Sequence, residues 1–159
     1  MRAAAATAAL HDLPATPETV RWGYFDRSVQ PVLTVASGDV VRVEALTHHA
    51  GDAPDLLMDV GIERVFAEVD DRGPGPHLLT GPIAIAGARP GDVLQVEILS
   101  AEPRLAYGSN LAAHWGQLYS DFGKERVTIF ALDTEAMLGR AQFAFDWATT
   151  PLAEAPGTI

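Results

Sequence analysis

The sequence predicts an all-β domain, an antiparallel β-sandwich with a few short helices. Three observations lead there. Val40-Val-Arg-Val-Glu-Ala-Leu46 alternates apolar and polar residues with the period of two that a half-buried strand requires. A phrase of β-rich run, Gly-Asp turn and second β-rich run occurs twice, around Gly38-Asp39 and around Gly91-Asp92. Each phrase reads as an antiparallel hairpin, and two such hairpins on opposed sheets are a sandwich signature.

The elements follow in chain order. Pro31–Val35 and Val40–Leu46 form the first expected hairpin around Ser37-Gly-Asp39. Gly51–Met58 is polar and irregular. Val60–Val69 reads either as a short helix or as an extended segment. Asp70–Pro76 is a loop, with Gly and Pro alternating from Gly73. Pro82–Ala86 and Val93–Leu99 form the second expected hairpin, turned by Pro90-Gly91, where Pro presets one φ and Gly accepts a positive one. Asn110–Tyr119 is expected as a short helix capped by Ser109 or Asn110. Arg126–Leu132 and Ala141–Phe145 are expected strands. No linker divides the chain, so one domain is expected over residues 11–148, between tails at 1–10 and 149–159.

Composition narrows the function. With 159 residues the chain can bury a real core. Its formal charge is −10, and ten arginines and Lys124 are its only basic residues besides five histidines. A chain this acidic lacks the positive stripe that a nucleic-acid backbone demands. The absence of cysteine removes disulfides, cysteine zinc sites and thiol nucleophiles. No stretch holds the roughly 18 apolar residues of a membrane span. Met1–Leu10 lacks the hydrophobic core and cleavage site of a signal peptide, so no membrane partner and a cytoplasmic location are expected.

The histidines are the first candidates for chemistry, since neutral imidazole is the usual general base and a common metal ligand. His48 and His49 end the first expected hairpin, where strand alternation sends one side chain inward and the other outward. Both can address one site only if the chain has already left the strand, which Ala50-Gly51 permits; otherwise His49 is a core residue and His48 a solvated one. Asp52 is either a carboxylate beside this pair or a solvated loop residue. His77 sits in a frame of prolines and glycines that fits a preorganised ligand or base, or a rigid loop whose imidazole caps backbone groups. Tyr24 and Asp26 end an aromatic run that walls a small pocket or packs an edge strand. Tyr107–Asn110 offers hydroxyl and amide groups to a substrate, or turns the chain. His114 reads as structural. No G-x-S-x-G elbow, P-loop, dinucleotide fingerprint or H-E-x-x-H occurs.

These phrases occur in a familiar order. Trp22-Gly-Tyr-Phe-Asp26, Leu46-Thr-His-His-Ala-Gly-Asp52, Arg72-Gly-Pro-Gly-Pro-His77, Thr80-Gly-Pro82, Pro90-Gly-Asp-Val-Leu94, Gly108-Ser-Asn110 and Trp115-Gly116 together resemble the acetamidase/formamidase family, over about residues 11 to 133. The resemblance implies a jelly-roll form of the sandwich, a homo-oligomer, and hydrolysis of formamide or acetamide to the acid and ammonia by a metal-activated water. It implies catalytic roles for His77, His49 and Asp52 and substrate contacts from Asp26, Asn110 and Tyr24. It also implies a divalent metal on His48, His49 and His77, zinc first and calcium second. Family members are about twice as long, so the expected match is to their N-terminal half, with the 149–159 tail stopping before the second half. Asp or His residues of that half would then complete the site. The alternatives are a non-catalytic jelly-roll module for binding or assembly, and a cupin-like metal enzyme, disfavoured because His48 and His49 are adjacent rather than spaced H-x-H.

Overall fold

A computed structural model describes residues 8–112, 119–121 and 125–146, with backbone alone at 119, 143, 145 and 146. His114, Trp115-Gly116, Lys124 and the 149–159 tail lie outside the described residues. Two compact units emerge, one from residues 1–46 and 60–99, the other from 47–59 and 100–159.

The first unit contains β1 (Leu10–Leu13), β2 (Val20–Trp22), β3 (Leu33–Val35), β4 (Val40–Val43), a nine-residue helix α2 (Val60–Glu68), β5 (Leu78–Thr80) and β6 (Ile83–Ile85). The second contains α1 (Pro54–Leu57), β7 (Tyr107–Ala112), β8 (Arg126–Asp133) and β9 (Leu138–Asp146), with short 3-10 turns at Ala50–Asp52 and Tyr119–Asp121.

The all-β jelly-roll sandwich is not what the chain builds. The architecture is mixed α/β, with small open sheets. β1 pairs β4 and β3 pairs β6, both in parallel, whereas β2 pairs β5 antiparallel. Neither expected hairpin closes, although both turns form. At the first turn Gly38 takes a φ of +92° and Asp39 N–H bonds the carbonyl of Ala36. The flanking strands then diverge, because Asp39 binds elsewhere. Its carboxylate accepts from Ala9 N–H at 3.0 Å, Ala36 N–H at 2.9 Å and His11 Nε2 at 2.9 Å. These contacts draw β4 alongside β1, and the two backbone bonds, followed by that from His11, hold the Asp39 carboxyl at a pKa of about 2. At the second turn two reversals follow one another, Ile85–Ala88 and Arg89–Asp92. One reversal would bring the chain back along β6. Two send it away, so Val93–Leu99 joins no strand of the described chain.

Residues 60–68 settle as helix for a reason visible in their spacing. Ile62 and Val65 are wholly buried and Phe66 is half-buried on the same face. Arg64 and Glu68 pair on the exposed face. The inner face meets Ala15, Val20 and Trp22, and Trp22 stands edge-on to Phe66 with ring centroids 4.7 Å apart. Arg72 closes the helix: Nε donates to the Val69 carbonyl, a second nitrogen to the Phe66 carbonyl, and the guanidinium lies 4.0 Å above the Trp22 ring.

In the second unit β7, β8 and β9 form an antiparallel sheet, confirming strands at 126–132 and 141–145. The expected helix at Asn110–Tyr119 does not start where proposed, because Asn110–Ala112 continue β7 opposite Thr128, Val127 and Arg126. Val127 and Ile129 are fully buried. Ala50, Ala53 and Leu57 are buried too, and α1 lies against β7.

Candidate active site

His49, Asp52 and Ser109 come together in the second unit. Beyond β4 the chain leaves the strand, and Thr47 Oγ1 accepts the His49 N–H at 3.0 Å. The His49 carbonyl then accepts Asp52 N–H at 2.9 Å and opens the 3-10 turn. Ala53 and Pro54 carry the chain directly into α1, where Pro at the first position needs no N–H partner. Burial of Ala50, Ala53 and Leu57 anchors this short stretch, which carries both His49 and Asp52.

Asp52 is 5% exposed and is the one buried charged residue among the described residues. Its Oδ2 accepts from His49 Nδ1 at 2.9 Å and from the Ser109 hydroxyl at 2.5 Å. An ionised carboxylate only accepts, so this bond calls for the proton on Nδ1, and a neutral imidazole so held keeps its lone pair on Nε2. Ser109 reaches Asp52 because of its register. It pairs with Ile129 and shares a sheet face with Leu111 and the buried Val127. Sequence reasoning treated Tyr107–Asn110 as a unit and missed that Ser109, not Asn110, turns inward. Strand alternation places Asn110 on the other face, where it is exposed. His48 stacks obliquely on His49, with ring centroids 4.1 Å apart.

Tyr24, Asp26 and His77 belong to the first unit and take other partners there. Tyr24 donates its hydroxyl to Asp71 at 3.0 Å, and that bond, reinforced by the carboxylate charge, raises the phenol pKa. Asp26 is exposed and closes a turn by accepting Ser28 N–H at 2.7 Å, which lowers its pKa. Both line an open recess of about 300 Å³ with Phe25, Thr80 and Pro82. His77 is exposed, and the Phe25 ring stands edge-on 6.5 Å away. Its frame is rigid for a reason its glycines explain. Gly23 sits at φ +76°, and a Cβ there would meet the Gly75 carbonyl oxygen at 2.4 Å. A Cβ at Gly73 would meet the Gly23 carbonyl at 2.7 Å. The chain crossing is closed by Gly23 N–H to the His77 carbonyl and Gly73 N–H to the Trp22 carbonyl, both at 2.8 Å.

The implied ligand set of His48, His49 and His77 is divided between the units. Among the described residues no three His, Asp or Glu side chains converge as a metal site requires. Among the same residues no helix is long and apolar enough to cross a membrane.

A family model for the acetamidase/formamidase family matches residues 14–147. No curated protein matches the chain.

Proposed function

Because the chain belongs to the acetamidase/formamidase family, we propose that it hydrolyses short aliphatic amides, formamide and acetamide first, to the carboxylic acid and ammonia. The observation that carries the reading is the His49–Asp52 pair, with a buried carboxylate accepting Nδ1–H at 2.9 Å. Asp52 fixes the tautomer and the ring orientation. His49 Nε2 takes a proton from water as the water oxygen adds to the amide carbonyl carbon. The resulting imidazolium returns that proton to the departing nitrogen as the C–N bond breaks. One water is consumed, and one acid and one ammonia leave. Ser109 keeps Asp52 in place by sharing its Oδ2.

Ammonia release from formamide and acetamide tests the proposal. His49→Ala is expected to lower turnover by about 10²–10⁴-fold, the usual contribution of a general base. Unchanged turnover sinks the role of His49. His77→Ala, assayed beside it, tests whether the rigid loop of the first unit also acts in catalysis. A folded wild-type chain that releases no ammonia favours the alternative, a non-catalytic binding or assembly module. Family membership also supports a homo-oligomer.

A further inference from the structure

Strand alternation gives the β2–β5 ribbon two different faces. Val20 and Trp22 are buried on one, and Arg21 stands beside its partner Leu79 on the other. Arg21 and Leu79 line the open recess of about 300 Å³ in the first unit, where Phe25, Val29 and Pro82 complete its hydrocarbon walls. Two opposite charges stand among these walls, Arg21 and Asp26. Arg21 is pinned through one nitrogen, since Nη1 donates to the carbonyls of Glu18 at 3.0 Å and Val20 at 2.9 Å. Its Nε and Nη2 edge has no acceptor among the described residues. The same edge of Arg64 grips the Glu68 carboxylate through bonds of 3.0 and 3.1 Å. Asp26 is exposed, and its Oδ1 accepts Ser28 N–H at 2.7 Å.

We propose that this recess binds an apolar α-amino acid as its zwitterion. The Nε and Nη2 fork of Arg21 takes the α-carboxylate, Asp26 takes the α-ammonium, and the hydrocarbon walls take the side chain. Charge complementarity selects this ligand. A plain hydrocarbon leaves both charges unused. A simple carboxylate brings its charge near Asp26, and a simple amine brings its charge near Arg21. A ligand carrying both signs beside an apolar group satisfies the whole lining. A recess of about 300 Å³ is at the small end of ligand pockets, which suits a molecule of this size. Because Nη1 is already tied to the backbone, little side-chain freedom is lost when the fork closes on a carboxylate. Formamide and acetamide carry no charge, so this ligand is distinct from the amides of the proposed reaction, and the inference does not depend on His49.

Isothermal titration of the full chain with L-leucine tests the proposal, and saturable binding is expected. Two analogues each lack one charge. 4-Methylpentanoate lacks the ammonium and isoamylamine lacks the carboxylate, and each is expected to bind about tenfold more weakly than leucine or worse. Arg21→Gln is expected to remove the advantage of leucine over isoamylamine. Asp26→Asn is expected to remove its advantage over 4-methylpentanoate. An asparagine oxygen still accepts Ser28 N–H, so Asp26→Asn keeps the turn and reports on the charge. A variant that merely loosens the fold weakens all three ligands together, and that result in both variants overturns the assignment. The absence of saturable heat up to about 10 mM leucine overturns the proposal. Equal affinity for leucine and either analogue in the wild type overturns it too. The readout is heat and not ammonia, so failure here and failure of hydrolysis at His49 are distinguished.

Discussion

His49 is fixed at its backbone by Thr47, at its ring by Asp52 and at its face by His48. Asp52 is the member of this group whose loss is easiest to interpret, because Asp52→Asn keeps the shape and removes the carboxylate. An amide can present an N–H to Nδ1, so the proton is expected to move partly to Nε2. Nitrogen-15 NMR of the His49 ring should show one tautomer in the wild type and a mixture in Asp52→Asn. Turnover should fall about 10²-fold or more alongside it. A single unchanged tautomer in the variant contradicts the orienting role. Part of this site was legible beforehand. The sequence itself sets His48, His49 and Asp52 close together, and strand alternation already requires that the chain leave the strand for both histidines to address one site. What could not be read was Ser109, which acts on Asp52 only through the register of β7 on β8, a long-range property no local spacing encodes. Tyr24, Asp26 and His77 are also recognisable in the sequence as chemically capable; in the first unit Tyr24 bonds Asp71, Asp26 bonds Ser28 N–H and the His77 backbone carbonyl accepts Gly23 N–H.

Among the elements, α2 shows how much one side chain beyond a helix can matter. Arg72 is placed after the last turn, where it meets carbonyls that have no partner in the helix, and it also covers Trp22. Arg72→Ala is expected to destabilise the fold by about 1–2 kcal/mol through lost bonds and lost stacking. Arg72→Lys should recover little of this, since an ammonium has no planar fork for two carbonyls and a ring. Urea denaturation checks both, and equal midpoints for wild type and alanine variant contradict the assignment. Strands β8 and β9 and the turns at Gly38 and Gly91 are readable, because each rests on local periodicity or local φ, whereas residues 60–69 read as either helix or extended segment until Ile62 and Val65 are seen to share a buried face. The sandwich is not readable, because a turn shows that the chain reverses but not which strand it then joins. Asp39 decides that for β4 by binding Ala9 and His11, and the doubled turn after Ile85 decides it for Val93–Leu99.

Over the whole molecule, the charge of −10 opposes the close approach of two copies. Two like-charged copies repel over about 10 Å at 0.1 M salt and less as salt rises. Self-association is therefore expected to tighten severalfold between 50 and about 500 mM sodium chloride. Sedimentation at both salt concentrations checks it. A dimer that loosens as salt rises would point to an ion-paired interface instead.

The parallel pairing of β3 with β6 has a consequence in time. It joins residues 33–35 to 83–85, and the β1–β4 and Gly23–Gly73 contacts likewise bridge distant parts of the chain. None of these can nucleate locally, since each requires a long loop to close before any contact rewards it. Helix α2 and the β8–β9 ribbon can form within their own neighbourhoods. Folding of the first unit is thus governed by chain search, with helix α2 able to form while β3 is still finding β6.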